Sequence, residues 1–308
     1  MVGAHVIANP RDHLILRLTP CDKPALAVDL LGHLDLLRSK RFLGQVPWAY
    51  LGATLADRFR IQLCGALAIE INGRRIDPQL PGRQGRLLVT YLILRRLRPI
   101  RRDELIDALW PDDAPAAANA ALSALLSKLR RLLPAGTLEG RSELRLTLPA
   151  DAHVDLEVAR EAIHRGESAL ARQDWHRAWG ASQGPLFTAR RGFLPNEDAD
   201  WIQELQRELD ILYLRALECY VHACLGVGGT ELPAAERSGR ELITRAPFRE
   251  DGYRHLMQAL SRRGNTAEAL RTYEQLRILL RDELGIAPSA DTIELHAELL
   301  RGVAPAAS

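Results

Sequence analysis

Leu122, Leu126, Leu129 and Leu133 advance by steps of four, three and four, which lines them along one side of a helix from about Ala116 to Leu133. A stripe of that regularity has to be buried against neighbouring elements. It leaves Asn119, Ser123, Ser127, Arg130 and Arg131 largely away from the stripe, with Lys128 alongside. Such a polar face either meets water or is shaped for a groove of DNA, and only the surrounding elements decide between the two.

Upstream, residues 59–80 alternate in character over short β-prone runs, with Asn72 and Gly73 as a hairpin turn, so a small antiparallel sheet is predicted. Leu87, Leu88, Tyr91, Leu92 and Leu94 then recur at helical spacing, with Pro99 as the stop. A short second helix follows, with Asp103 and Glu104 in its first turn, Leu105, Ile106, Leu109 and Trp110 as its apolar side and Pro111 as its end. After the leucine-striped helix, residues 137–149 read as two short strands around a turn at Gly140–Ser142. Sheet, helix, short helix, turn, long helix and hairpin is the order of a winged helix, in which the last helix enters the major groove and the hairpin lies along the backbone.

Charge supports that order. Residues 1–58 hold 7 basic and 5 acidic groups, residues 59–150 hold 15 and 9, and the remainder holds 19 and 25. A basic module of net +6 joined to a larger one of net −6 suits a nucleic-acid reader with a protein-facing partner domain, because phosphate binding depends on concentrated positive charge. Arginine and lysine grip phosphates or guanine edges, asparagine pairs with adenine, and serine lets the backbone approach closely.

From about Asp155 the chain reads as helical throughout, as in Trp201, Ile202, Leu205, Leu209, Leu212, Ala216, Leu217 and Tyr220. Ala235 and Leu242 recur 34 residues later as Ala269 and Leu276, the period of a tetratricopeptide unit. Tyr253, Leu256, Met257, Leu260, Ala269 and Tyr273 fit the helix-turn-helix pattern of the second copy around Gly264; Pro247 fits the first copy, whereas Gly226 and Gly239 match it poorly. The fold is therefore mainly α, with an α+β winged helix-turn-helix at 59–150 and an all-α tetratricopeptide-like domain at 151–302. Residues 1–58, where Leu30, Leu31, Leu34 and Leu37 have helical spacing, and the tail 303–308 carry no assigned role.

The stretches "GRQGRLLVTYLILR", "RRDELIDALWPDDAP" and "LLSKLRRLL" resemble the OmpR-type winged helix that opens the Streptomyces antibiotic regulatory proteins, the SARP-type transcriptional activators. "LRDELGIAPS" and the residues before it resemble the bacterial transcriptional activator domain that follows in that family. The resemblance covers residues 59–302. It implies a DNA-binding activator in the cytoplasm that dimerises on promoter direct repeats and contacts RNA polymerase. It places Ser127, Lys128, Arg130 and Arg131 on the recognition helix and Arg141 and Arg145 in the wing. Positions 120, 121, 124 and 125 are Ala, Ala, Ala and Leu where relatives often carry larger polar groups, and Glu143 and Leu144 depart from the usual wing. DNA shape and backbone contacts are therefore expected to matter more than usual. The alternative is a tetratricopeptide-like interaction scaffold with a degenerate winged helix, favoured by Glu143 and the alanine-rich face.

No enzyme, cofactor, metal or membrane role is expected. Cys21, Cys64, Cys219 and Cys224 are too irregularly spaced for a disulfide framework. Cys224 points about 140° from Cys219 on a helix, and Cys219 and His222 fall on repeat-core positions, against a zinc site. Among Asp151, His153 and Asp155, Asp155 is expected to cap the following helix. The glycines at 226–229 read as a loop, and no phosphate-binding loop, nucleophile elbow or catalytic carboxylate pair stands out.

Overall fold

A computed structural model describes residues 59–303 except 196 and 198, all within one compact unit. The helix expected around Leu30–Leu37, Cys21 and residues 304–308 lie outside the described residues. Strands β1 (Phe59–Gln62), β2 (Ala68–Ile71) and β3 (Arg74–Arg75) run antiparallel, with Phe59 opposite Ile71 and Ile61 opposite Ile69 on the buried face. Asn72 and Gly73 both take positive φ, 52° and 78°, which matches the turn to the twist of the strands it joins.

Helix α1 (Gly82–Leu94) buries Leu87, Leu88, Tyr91 and Leu92, and stops five residues before Pro99 because the chain turns at Arg95, where the Arg98 N–H returns to the Arg95 carbonyl. Strand β4 (Ile100–Arg101), helix α2 (Arg102–Leu109), helix α3 (Ala118–Leu132), and strands β5 (Leu138–Glu139) and β6 (Glu143–Leu146) complete the winged helix. Two-residue β4 pairs with β6, so the wing is a three-stranded sheet.

Strand β7 (His153–Val154) pairs parallel with β1, and α4 (Asp155–Ala171) leaves directly from it. Helices α5 (Trp175–Arg190), α6 (Asp200–Val227), α7 (Leu232–Arg245), α8 (Glu250–Arg262), α9 (Thr266–Leu284) and α10 (Ala290–Val303) follow. Each packs on the next, and α4, α6, α8 and α10 also pack in succession, the arrangement of stacked helix hairpins. Ala235, Leu242, Ala269 and Leu276 are all buried, so the 34-residue period marks core positions. The poor match at Gly226 has a steric origin: a Cβ there would lie 2.1 Å from the Trp175 ring. Gly226 and Val227 close α6, so the glycine-rich run is loop only from Gly228. Glu250, in the first turn of α8, accepts the Ser289 N–H and the Ser289 and Thr292 hydroxyls, holding the "LGIAPS" segment to the array.

Asp155 is the first residue of α4 rather than its N-cap, and its Oδ1 accepts the Leu156 N–H of its own helix at 2.8 Å. Its carboxylate lies in the first turn of α4 and reaches back to accept the N–H groups of Leu63 at 2.8 Å and Cys64 at 3.1 Å, and Arg191 Nη2 at 3.3 Å. Burial pushes its pKa up, and those three donors and the Leu156 N–H oppose the shift. One apolar core runs across this joint, from the strands through α1–α3 into α4–α7. Asp155→Ala strands two buried N–H groups and Arg191 together, and is expected to cost about 3 kcal/mol in chemical denaturation. Asp155→Asn, which keeps an acceptor, is expected to cost roughly half as much.

In the array, the His255 ring lies 5.3 Å from that of His222, its Nδ1 is sealed from solvent without a partner, and desolvation by burial, then His222, drives its pKa down to about 4. The unfolded chain takes up this proton near pH 6.5 while the folded chain resists it to about pH 4, so stability is full above 6.5 and falls between 6.5 and 4. A loss on the order of 2–3 kcal/mol is expected across that window, and His255→Phe should flatten it in denaturation at stepped pH.

Candidate nucleic-acid interface

Leu122, Leu126 and Leu129 are buried, and α3 packs on α1 and α2. At about 100° per residue from that line, Ala120, Ala124, Ser127 and Arg131 fall on the far side with Lys128 next to them, while Asn119, Ser123 and Arg130 fall on one flank. All eight expected site residues, Asn119, Ser123, Ser127, Lys128, Arg130, Arg131, Arg141 and Arg145, are exposed. Lys128 and Arg130 are not covered by the C-terminal helices.

The flank residues are nonetheless occupied. Arg102, the first residue of α2, donates Nη2 to the Asn119 carbonyl at 2.9 Å and to Ser123 Oγ at 2.8 Å, and Nε to Asn119 Oδ1 at 3.3 Å. Arg130 donates Nη2 to the Gly140 carbonyl and Nε to the Leu138 carbonyl in the wing. Ser127, Lys128 and Arg131 on α3, and the Arg141 and Arg145 side chains on the wing, make no hydrogen bond or ion pair with the described residues. Glu143, the acidic departure in the wing, stands across the ladder from Arg101, and Glu139 stands across from Arg145, so each wing acid has a cationic neighbour. Sequence reasoning missed Arg102; its signal is the Arg101–Arg102 pair just before the acidic first turn of α2.

Contacts from the helical array fall on α1 and α2 and leave α3 open. Trp201 Nε1 donates to the Ala108 carbonyl at 3.0 Å, and its ring meets Tyr91 edge-on at 5.2 Å. Arg83 pairs with Glu197 at 2.5 Å, and Arg96 with Glu157 through two hydrogen bonds. Arg98 and the Tyr91 hydroxyl bind Glu104 and hold its carboxyl below the usual range, which fixes α2 on α1.

No other chemistry gathers here. Burial pushes the free thiols of Cys219 and Cys224 to about 12 and that of Cys64 higher still, so none is poised as a thiolate. His222 is not a core residue: it is exposed, stacked between Trp175 at 5.6 Å and His255, because Gly226 on the next turn admits the indole. Among the described residues no group of three His, Cys, Asp or Glu side chains could hold a metal ion.

Residues 154–300 match the bacterial transcriptional activator domain. Regulatory protein AfsR of Streptomyces griseus is 34% identical over 257 residues, 80% of this chain and 25% of that protein. Regulatory protein DnrI of Streptomyces peucetius is 26% identical over 261 residues, 79% of this chain and 92% of that protein. The chain thus carries a bacterial transcriptional activator domain and is similar to these regulatory proteins over about four fifths of its length. The solved structure of Mycobacterium tuberculosis EmbR in complex with a low-affinity phosphopeptide superposes with a TM-score of 0.70 at 26% identity, over 80% of this chain and 65% of that one. The chain spans about a quarter of the length of AfsR, so the relevant likeness there is to one part of a larger regulator.

The two sides of α3 separate stability from surface chemistry. Leu126→Ala is expected to cost about 2–5 kcal/mol, whereas Lys128→Ala with Arg131→Ala should stay within about 0.5 kcal/mol of the parent in thermal or urea unfolding.

Proposed function

We propose that the chain is a sequence-specific DNA-binding transcriptional activator that acts in the cytoplasm. α3 lies in the major groove, and the wing follows the phosphate backbone. The observation that carries this reading is the set of exposed cations without internal partners, Lys128 and Arg131 on the open side of α3 and Arg141 and Arg145 on the adjoining wing. Ser127 brings the backbone close to the groove, while Asn119, Ser123 and Arg130 act through the internal bonds that hold the helix and wing together. By family likeness, two copies bind direct repeats with half-sites about one helical turn apart, and the helical domain contacts RNA polymerase. Among the described residues no helix is long and apolar enough to cross a membrane.

Titrating salt against binding to the chain's own promoter fragment tests the reading. Four phosphate contacts predict a log–log slope of about −3.6 per protomer, and Lys128→Glu with Arg131→Glu should remove about 2 from its magnitude while leaving helicity intact. Weak binding that does not respond to salt would instead support the interaction scaffold.

A further inference from the structure

Two arginines from different helices converge on adjacent carbonyls at the tip of the wing. Arg130, on α3, holds the Leu138 and Gly140 carbonyls. Arg102, at the start of α2, reaches the Arg141 carbonyl at 3.5 Å while gripping Asn119 and Ser123 on α3. The turn they hold is tight: Gly140 has φ 93°, and a Cβ there would lie 1.7 Å from the Glu143 carbonyl oxygen. Its backbone is therefore fixed in a shape that offers carbonyls to the body of the domain.

We propose that Arg102 and Arg130 form a clamp that sets the wing against the recognition helix, positioning Arg141 and Arg145 for phosphate rather than touching DNA themselves. A guanidinium fork can bond two carbonyls at once, and a charged donor strengthens each bond, whereas an ammonium is a point charge on a flexible stem. The Leu138 carbonyl, on β5, and the Gly140 carbonyl, in the turn just after it, are both within reach of the one guanidinium, through Nε and Nη2. Arg102 joins three elements, α2, α3 and the wing. Holding the wing before DNA arrives removes the ordering that binding would otherwise have to supply. The clamp's effect on affinity rests on the DNA-binding reading; its effect on the wing does not.

The test uses the full chain with two readouts. In salt titration, Arg141→Ala with Arg145→Ala should lower the slope magnitude by about 1.8, and Arg102→Gln with Arg130→Gln should lower it by a similar amount although both wing arginines remain. All four changes together should lose no more than the wing pair alone. Additive loss, about 3.6 for the four, would mean that Arg102 and Arg130 meet phosphate directly and would overturn the clamp, as would an unchanged slope in the Gln pair. Arg130→Lys keeps the charge but not the fork, so full recovery of slope with lysine also counts against it. In hydrogen exchange, amides of residues 138–146 should exchange about tenfold faster in the Gln pair while those of α1 hold. Unchanged exchange there rejects the clamp whatever the DNA result. Salt-independent binding by the parent chain would instead sink the DNA reading, with the exchange comparison still deciding the clamp.

Discussion

The buried carboxylate of Asp155 is where the sheet, the winged helix and the helical array become one body. It accepts the N–H groups of Leu63 and Cys64, just past the first strand, and faces Arg191, which also reaches Gln62, so one charge binds the strand end, α4 and the segment after α5. A buried charge is tolerated only when its partners are complete, and losing one leaves the rest uncompensated. The parallel pairing of β7 with β1 delivers Asp155 to that position, and the Gly65 N–H bonded to the Gly192 carbonyl closes the same corner. The open face of α3 is consequently presented by a rigid frame, since Trp201, Glu197 and Glu157 grip the winged helix from the array side.

Net charge overstated how much of the basic module is available to a partner. Of the 15 cations in residues 59–150, Arg75, Arg83, Arg96, Arg98 and Arg101 each pair with a carboxylate, and Arg102 and Arg130 are taken up by carbonyls and side chains of their own domain. Arg86 also faces Glu197 at 3.8 Å, and while exposed Arg74 and Arg95 lie at the β2–β3 hairpin and after α1, Lys128, Arg131, Arg141 and Arg145 lie on α3 and the wing. Ion pairing withdraws much of the module's positive charge from solvent, so a count of charges marks a basic module and pairing geometry marks which of its cations stay open.

Elements with strong local periodicity were legible in the sequence. The leucine stripe of α3, the Asn72–Gly73 hairpin and the 34-residue spacing all depend on contacts between residues a few positions apart or on a repeated unit. Strands β4 and β7 were not legible, because two residues cannot display a period and each exists only through a partner far along the chain. Asp155 was legible only in part for a similar reason: an acidic residue at the start of a helical run looks the same whether it serves its own helix alone or also crosses to the chain 91 residues away. His222 was assigned to the core by repeat position, but it is exposed on α6, with the Trp175 ring beside it in the space that the missing Cβ at Gly226 leaves. On the candidate interface the cation set was legible, whereas the division between open and occupied residues depended on Arg102, which periodicity assigns no role.

Ala120 and Ala124 on the open side of α3 constrain how such a face can discriminate sequences. Alanine offers no hydrogen bond to a base edge, so under the proposed DNA-binding role the direct readout left to the helix would be thymine methyl contact and whatever Ser127, Lys128 and Arg131 reach. Small side chains, however, allow the helix axis to sit deeper between the backbones. Deep seating makes the fit sensitive to groove width, which varies with sequence. A wing held at a set distance from the helix would add to that sensitivity, because its arginines meet phosphates only where the groove has the matching span. Rigidity of the frame and poverty of base-specific donors therefore point the same way: discrimination would come mainly from the cost of deforming the DNA to fit a fixed set of cations.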